Sequence, residues 1–383
     1  MGEERRSDPP RVVGHIRSDI AGPTLICVGG LHGNEPAGPV ALQRVVEALQ
    51  AKNAVRRGDF IALVGNLAAL KERRRFLSRD LNRHWHRHAL QPGHATQAGT
   101  APEELEQEAL AKELERAFAQ SRGQVFLVDL HTTSGDGKPF LVIADSMKSR
   151  RFALQFPNPL VLGLEEHLDG TLIDVVTNLG HAAIAFEGGR NDNPDSVDYS
   201  EAAIWTALQA TGLIARNGSD PAAAARASLR RVNDGLPAIV EILYRHAIDE
   251  GDEFRMRPKF GGFDAVREGQ PLADDRGGEI TAPMSGYLLM PLYQQQGDDG
   301  FFVVHAVRRF WLPVSAALRR VHVDRMVPWL PGVQRDPETE NGVIVNKAVA
   351  RWFALQVLHL LGFKRVRDTG ATLYMRRRGG LPL

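Results

Sequence analysis

The sequence predicts an α/β protein in which helices flank a mixed, mostly parallel central sheet, followed by a smaller C-terminal β-rich domain. Two observations support this fold class. Up to about residue 245, short apolar runs such as 24–29 alternate with amphipathic helical segments, and apolar strands without polar alternation are typical of sheets covered on both faces. After about Asp249, short alternating segments are separated by glycine-rich turns, which indicates a small β domain.

The predicted elements come in the order that such a sheet requires. Strands are predicted at residues 24–29, 60–64, 125–130, 140–144 and 182–186. Helices are predicted at residues 36–51, 103–120 and 196–213, where apolar residues recur at helical spacing. We expect two domains, one of residues 1–248 and one of residues 249–383, with a tail of mixed texture after about Trp311.

Charge and composition exclude several classes of partner. Lysine plus arginine number 47 and aspartate plus glutamate number 46, so no net field favours nucleic acid or an anionic membrane. No apolar run reaches the roughly 18 residues that a membrane span needs. The polar start MGEERRSDPP has no secretory signal core, and the single cysteine, Cys27, leaves no intramolecular disulfide. We therefore expect a cytoplasmic protein without membrane or nucleic-acid partners.

The first motif with chemical meaning follows the strand at residues 24–29. His32 and Glu35 lie three residues apart between a strand end and a helix start, in the run GGLHGNEPAG. Open α/β sheets place ligand sites at the carboxyl ends of their strands, and an imidazole with a carboxylate can bind a zinc ion. Taken alone, the same residues are also compatible with an ordinary solvated loop.

A second strand end supplies a third ligand candidate. The strand predicted at residues 125–130 leads into His131, and Asp129 precedes it. Two histidines and one carboxylate match the three-ligand pattern of hydrolytic zinc sites. Asp129 can orient a metal-binding imidazole or pair with a loop amide, and the sequence leaves both roles open.

A third strand end carries a candidate for acid–base chemistry. Glu187 directly follows the apolar run at 182–186. One glutamate can take a proton from a nucleophilic water and return it to a leaving amine. The alternative is a structural ion pair between Glu187 and Arg190 at the sheet edge.

An arginine-rich segment, 73–83, completes the set. Its arginines alternate with Phe, Leu and Asn residues, which suits a loop folded over a pocket. A guanidinium group can bind a carboxylate through two hydrogen bonds or stabilise a developing oxyanion. A solvated basic surface is the competing interpretation.

Together these motifs resemble those of the succinylglutamate desuccinylase/aspartoacylase family, relatives of the zinc carboxypeptidases. The matching pieces, in chain order, are GGLHGNEPAG, RDLNR, DLHTTSG and FEGG, between about residues 27 and 190. The later segment at residues 280–304 also resembles the small C-terminal domain of that family. The resemblance implies a carboxypeptidase-like sheet and one catalytic zinc per chain.

The resemblance also implies a role for each site residue. His32, Glu35 and His131 would bind the zinc, and Glu187 would activate water and then protonate the amine. Arg75 would polarise the scissile carbonyl, although Arg73, Arg74 and Arg79 compete for that role. The carboxylate of the amino-acid portion would be bound by the RDLNR residues Asn82 and Arg83.

Two features depart from the family pattern. The segment 176–181 before Glu187 lacks the arginine with which family members bind an acyl-side carboxylate, and Arg190 is the only nearby substitute. The active-site tyrosine that the resemblance implies could be either Tyr287 or Tyr293. An acidic acyl group is therefore less well supported than the reaction itself.

From these observations we expect a zinc-dependent deacylase that cleaves the amide bond of a small N-acylated amino acid or related amide. A zinc carboxypeptidase acting on short peptides would use the same site. A non-catalytic protein that binds carboxylates is a third hypothesis, against which the complete ligand set and Glu187 argue. The expected partner is a small-molecule substrate, and the oligomeric state, homo-oligomer included, is open.

Overall fold

A computed structural model of the chain describes residues 9–52, 54–85, 90, 100–215, 221–321, 323–337, 342–349, 358 and 361–377. Residues 1–8, which contributed to the prediction that no secretory signal is present, lie outside this described part. Within it, no helix combines the length and the apolar character that crossing a membrane requires.

The N-terminal region alternates strands and helices, as predicted. Its strands are β1 (Val12–Arg17), β2 (Thr24–Gly29), β3 (Asp59–Val64), β4 (Val125–Thr133), β5 (Phe140–Val142), β6 (Leu160–Leu162), β7 (Ala182–Arg190) and β8 (Ile239–Ala247). Its helices are α1 (Ala37–Lys52), α2 (Leu67–Glu72), α3 (Pro102–Ala119), α4 (Met147–Ala153), α5 (Leu172–Asn178), α6 (Asp195–Thr211) and α7 (Pro221–Val232). β4 and β7 extend beyond the predicted 125–130 and 182–186 because they continue to pair with each other.

The C-terminal region adds short strands and one helix. The strands are β9 (Arg255–Met256), β10 (Ala265–Val266), β11 (Pro271–Asp275), β12 (Gly278–Thr281), β13 (Gly286–Leu289), β14 (Asp299–Ala306), β15 (Val333–Arg335), β16 (Gly342–Asn346), β17 (Phe363–Asp368) and β18 (Thr372–Arg377), and the helix is α8 (Trp311–Arg320). The tail after Trp311 is mixed, since α8 is followed by the antiparallel sheet β15-β16-β18-β17.

The central sheet has the order β1-β3-β2-β4-β7-β5-β6-β8-β14-β13-β10 in the described part of the chain. The strands β3, β2, β4 and β7 are parallel to one another. Antiparallel partners flank them, β1 on one side and β5 on the other. The predicted fold class, a mixed sheet with helices and a β-rich C-terminal part, is confirmed.

β14, β13 and β10 continue the central sheet, whereas β9, β11 and β12 form a small separate sheet. The strands after Asp249 therefore contribute to both the main sheet and the smaller ones. A domain division between residues 248 and 249 stays a prediction.

Helices cover both faces of the sheet because its strands are apolar on both sides. In β2, Leu25 and Cys27 pack into one core cluster, while Ile26 and Val28 pack into another. The first cluster includes residues of α1 and α6, and the second includes residues of α3 and α5. Burial on both faces explains why these strands lack polar alternation.

Candidate active site

Three neighbouring strands bring the predicted chemistry to one edge of the sheet. The loop after β2 carries His32 and Glu35, β4 carries His131, and β7 carries Glu187. β4 is parallel to both β2 and β7, so the carboxyl ends of the three strands meet. His131 and Glu187 are direct cross-strand partners.

The loop between the first two candidate ligands depends on close backbone packing. A Cβ atom at Gly33 would lie 2.0 Å from the carbonyl carbon of Ala69, so no side chain fits there. The Gly33 amide donates a hydrogen bond to the carbonyl oxygen of Arg75 at 3.1 Å. Glycine at this position therefore allows the loop to lie against α2 and the arginine-rich segment.

Three buried side chains converge at the strand ends. His32 Nδ1 lies 2.8 Å from Glu35 Oε1, and His131 Nδ1 lies 3.0 Å from Glu35 Oε2. One donor atom from each residue lies within 4.8 Å of the other two. The backbone amide of Thr132 donates to Glu35 Oε2 at 3.0 Å and holds the carboxylate in place.

The close packing of these groups shifts their proton affinities. Burial alone would raise the pKa of Glu35, but the His32 and His131 side chains lower this pKa below its ordinary value. Burial likewise opposes protonation of His131, yet the carboxylates of Asp129 and Glu35 hold its pKa well above the ordinary value. The surroundings thus favour an ionised Glu35 carboxylate beside a positively charged His131.

Each imidazole has a second acidic neighbour on its opposite nitrogen. His32 Nε2 lies 3.0 Å from Asp80 Oδ1, and His131 Nε2 lies 2.9 Å from Asp129 Oδ2. Burial would raise the pKa of Asp80, but His32 and Arg75 hold it well below its ordinary value. Of the two roles that the sequence left open for Asp129, the geometry favours the one beside the imidazole.

The donor set fits a zinc ion. Two imidazole nitrogens and one carboxylate are the ligands of many catalytic zinc sites, and carboxylates behind metal-binding imidazoles are the usual outer support. Four buried or half-buried carboxylates, those of Glu35, Asp80, Asp129 and Glu187, lie in or beside this cluster. Such an excess of acidic groups favours a bound cation.

Glu187 faces the same cavity as the candidate ligands. Its Oε2 atom is buried and has no hydrogen-bond partner among the described residues. Burial, with the charges of Glu35 and Asp129, raises the pKa of Glu187 to about 8, although His131 and Arg75 act in the opposite direction. A carboxyl group with a pKa near neutrality can both accept and donate a proton.

The alternative of a Glu187–Arg190 ion pair is not what the structure shows. Arg190 contacts Asp136 at 3.0 Å and Asp192 at 2.5 Å, on an exposed surface. It lines a different, more open cavity that also includes Lys138. Arg190 therefore does not replace the arginine that is missing before Glu187.

Among the arginines of segment 73–83, Arg75 reaches the ligand cluster. Its Nη2 atom lies 3.0 Å from Asp80 Oδ2, and its Nη1 atom lies 3.4 Å from Glu35 Oε1. Arg73 and Arg74 are exposed, and Arg79 pairs with Glu104 at 2.9 Å. Burial opposes the charge of Arg75, but its acidic neighbours raise its pKa.

Asn82 and Arg83 lie on the same side of the cavity in a 3₁₀ turn. Asn82 Oδ1 accepts a hydrogen bond from the Leu172 amide at 2.9 Å, and Asn82 Nδ2 lies 3.3 Å from His131 Nε2. Arg83 Nη2 donates to Asp299 Oδ2 at 2.9 Å. Both side chains line the cavity.

Neither candidate tyrosine lines this cavity. Tyr293 donates its hydroxyl hydrogen towards backbone carbonyl oxygens of the β-rich region, those of Arg257 at 2.7 Å and Phe260 at 3.0 Å. Tyr287 packs against the core cluster that includes Ile26 and Val28. The C-terminal region instead contributes Gln294 and Asp299 to the cavity.

Sequence reasoning missed three of the residues that shape the site. Asp80 could have been found, because a metal-binding imidazole generally needs an acidic or carbonyl partner and RDLNR supplies one. Asp299 and Gln294 gave no such signal, since they are far away in the chain and the folding of β13 and β14 brings them close. The whole cavity has a volume of about 110 Å³, which suits part of a small molecule.

Comparison with known protein structures supports the fold. A succinylglutamate desuccinylase/aspartoacylase from Rhodobacter sphaeroides is 18% identical, with a TM-score of 0.57, 78% of this chain covered and 88% of the other. The product-bound ectoine utilization protein EutE (DoeB) from Ruegeria pomeroyi is 20% identical, with a TM-score of 0.54 and coverage of 76% and 87%. A mutant of murine aminoacylase 3 is 20% identical, with a TM-score of 0.50 and coverage of 76% and 96%.

Comparison of the sequence identifies the family of the segment that carries the site. No curated protein sequence matches the chain. The family model described as the succinylglutamate desuccinylase/aspartoacylase catalytic domain matches residues 21–193, which include β2, β4 and β7 with all of their site residues. Residues 21–193 therefore match the catalytic domain of the succinylglutamate desuccinylase/aspartoacylase family, which is the family that the four motifs resemble.

Proposed function

We propose that the protein is a zinc-dependent hydrolase that cleaves the amide bond of a small N-acylated amino acid or related amide. One observation carries this proposal. The Nδ1 atoms of His32 and His131 both face the carboxylate of Glu35, and Glu187 faces the same cavity. A ligand set and a proton carrier thus lie together in a deacylase-family catalytic domain.

In this proposal His32, Glu35 and His131 hold one zinc ion per chain. A zinc ion bound there would supply Lewis-acid chemistry, which makes water more acidic and a carbonyl carbon more electrophilic. Asp80 and Asp129 would keep both imidazoles oriented through their Nε2 atoms. Buried supports of this kind restrict the rotation of the rings.

Glu187 is the proposed acid–base residue. Its carboxylate takes a proton from the attacking water, whose oxygen then bonds to the scissile carbonyl carbon. The same carboxyl group gives the proton to the amine nitrogen as the C–N bond breaks, so a carboxylic acid and a free amine leave. A pKa near 8 without a cation, caused first by burial, supports a group that holds the proton between the two steps.

Arg75 is the proposed oxyanion stabiliser. Its guanidinium group is largely buried, with 14% of the side chain exposed, and it lies between Glu35 and Asp80 beside the cavity. Hydrogen-bond donors that are fixed before reaction stabilise developing negative charge without a cost for reorganisation. Asn82 and Arg83, which line the cavity next to it, are the proposed contacts for a carboxylate of the amino-acid portion.

A carboxypeptidase acting on short peptides would need the same groups. The cavity volume of about 110 Å³ and the lining by Met290, Pro291 and Leu292 of the C-terminal region support a small amide substrate instead. A panel that includes dipeptides, tripeptides and N-acyl amino acids separates the two, because only a carboxypeptidase would prefer the peptides.

The proposal is tested by zinc content and by turnover together. We expect about one zinc per chain in wild-type protein, measured by elemental analysis, and amine release from at least one N-acyl amino acid. His131→Ala should lose the zinc, whereas His305→Ala, a change on an exposed strand residue, should retain it. Equal zinc content in both variants would rule out His131 as a ligand.

A further inference from the structure

The cationic side chains of the cavity already face carboxylates of the protein. Arg75 and Arg83 are the only arginine or lysine side chains among the described residues that line it. Arg75 is bound to Asp80 and Glu35. Apart from the proposed zinc ion and its histidine ligands, Arg83 is therefore the cationic contact left for a substrate carboxylate in this cavity.

Arg83 itself already has an acidic partner. Its Nη2 atom donates to Asp299 Oδ2 at 2.9 Å, and its Nη1 atom donates to the Asn82 carbonyl oxygen at 3.1 Å. The second carboxylate oxygen of Asp299 lies 2.5 Å from Arg245 Nε. Because Asp299 also lines the cavity, a substrate carboxylate that approaches Arg83 must compete with it and also face its negative charge.

An apolar wall also lines the cavity. Val142 and Ala185 are cross-strand partners beside Glu187, which follows two residues later on the same face of β7. Ile173 of α5, Leu164 and Phe302 continue this wall. A second carboxylate placed against these side chains would lose its hydration without gaining a hydrogen bond or a counter-charge.

We propose that the substrate is an N-acyl compound with at most one carboxylate, whose group against the apolar wall is uncharged. This inference rests on the proposed function and deepens it. Asp299 is a specificity-determining residue in this account, since it occupies the guanidinium group that an acidic substrate would need. Dicarboxylic substrates such as N-succinyl amino acids are selected against by charge and not by size.

Substrates of matched shape test the proposal. Leucine and aspartate side chains are similar in size, as are N-pentanoyl and N-succinyl groups, so each pair differs mainly in one carboxylate. We expect kcat/KM for N-pentanoyl-leucine to exceed that for N-succinyl-leucine and for N-pentanoyl-aspartate by at least about tenfold. Each methylene added from N-acetyl to N-pentanoyl should raise kcat/KM by up to about fourfold while it stays in contact with the wall.

The variant Asp299→Asn tests the proposed role of the aspartate. It keeps the shape of the side chain but removes the charge that competes for Arg83. We expect the ratio of kcat/KM for N-pentanoyl-aspartate over N-pentanoyl-leucine to rise by about tenfold or more. Asp298→Asn removes one charge from the exposed neighbouring residue and should leave the ratio unchanged. Thermal unfolding of both variants verifies that the fold is retained.

The outcomes separate this inference from the proposed function. If no member of the panel is hydrolysed, the proposed function fails. If the amides are hydrolysed but N-succinyl substrates are preferred, the function stands and the inference is overturned. An unchanged ratio in Asp299→Asn, with the fold retained, would equally overturn the role of Asp299.

Discussion

His32 and Asp80 form a buried pair, with 3.0 Å between His32 Nε2 and Asp80 Oδ1. The second oxygen of Asp80 binds Arg75 at 3.0 Å, so one aspartate joins a candidate metal ligand to the candidate oxyanion stabiliser. The backbone amide of Asn82 also donates to Asp80 at 2.8 Å. Asp80 therefore fixes the orientation of His32, of Arg75 and of the backbone at Asn82.

Replacing Asp80 should weaken metal binding without removing a metal ligand. We expect Asp80→Asn to lower zinc affinity by about 10- to 100-fold, because the His32 ring loses its charged support. Competition with a chelator of known affinity measures this. Asp136→Asn is the control, since Asp136 is exposed and pairs with Arg190 outside the cavity. Equal affinities in the two variants would contradict the role of Asp80.

Gly33→Ala should disturb the site through the backbone. The added Cβ would lie 2.0 Å from Ala69 carbonyl carbon and 2.4 Å from Leu70 nitrogen, and neither atom can move without shifting α2. We expect the free energy of unfolding to fall by about 1–3 kcal/mol and zinc affinity to fall with it. Gly262→Ala is the control, because a Cβ atom there would lie 3.6 Å from its nearest neighbour, the Cα atom of Gly137, which is an ordinary contact. Urea denaturation that gave equal stability for both variants would be evidence against this packing.

His167 should make the protein sensitive to acid. Burial, then the charges of Arg365 and Arg245, lower the pKa of His167 to about 4, although Glu166 and Asp299 act in the opposite direction. An unfolded histidine titrates near 6.5, so the unfolded chain binds more protons between these values. The contribution of neutral His167 to the stability of the fold is therefore complete above about pH 6.5, and it is lost as the pH falls towards 4.

The variant His167→Gln removes this titration. We expect the urea midpoint of wild-type protein to fall more between pH 7 and pH 5 than that of the variant. Parallel curves for the two proteins over this range would show that His167 is not responsible. Zinc-loaded samples of both proteins keep the site in the same state throughout the comparison.

Arg75→Lys should impair turnover more than substrate binding. Lysine keeps the positive charge but cannot reproduce the two contacts of the guanidinium group with Asp80 and Glu35. We expect kcat to fall by about 10²- to 10³-fold, the range found when one oxyanion donor is removed. Arg79→Lys is the matched control, because Arg79 pairs with Glu104 away from the cavity. A change in KM alone would contradict a role in stabilising the oxyanion.

The sequence predicted the parts of the site that strand ends carry. His32, Glu35, His131 and Glu187 follow or end apolar runs that parallel pairing brings together, so local patterns predict that they meet at one sheet edge, while their roles stay predictions. Among the arginines of segment 73–83, only the structure separates Arg75 from its neighbours. The direction of an arginine side chain in a loop depends on tertiary contacts that no local pattern records.

The rest of the site depends on long-range pairing. Asp299 reaches the cavity because β14 pairs with β8 in the main sheet, a register that the alternating pattern of the C-terminal region does not specify. β6 has only three residues, and β9 and β10 only two each. Strands this short form because neighbouring strands pair with them, and they are too short to show a periodic hydrophobic pattern in the sequence.

Turnover by zinc-loaded Glu187→Gln tests the central claim most directly. Glutamine preserves the size of the side chain but cannot take a proton from water, so we expect kcat to fall by about 10²- to 10⁴-fold while elemental analysis still finds one zinc per chain. A variant that binds zinc, keeps its fold and hydrolyses the best N-acyl substrate at nearly the wild-type rate would contradict the proposed mechanism.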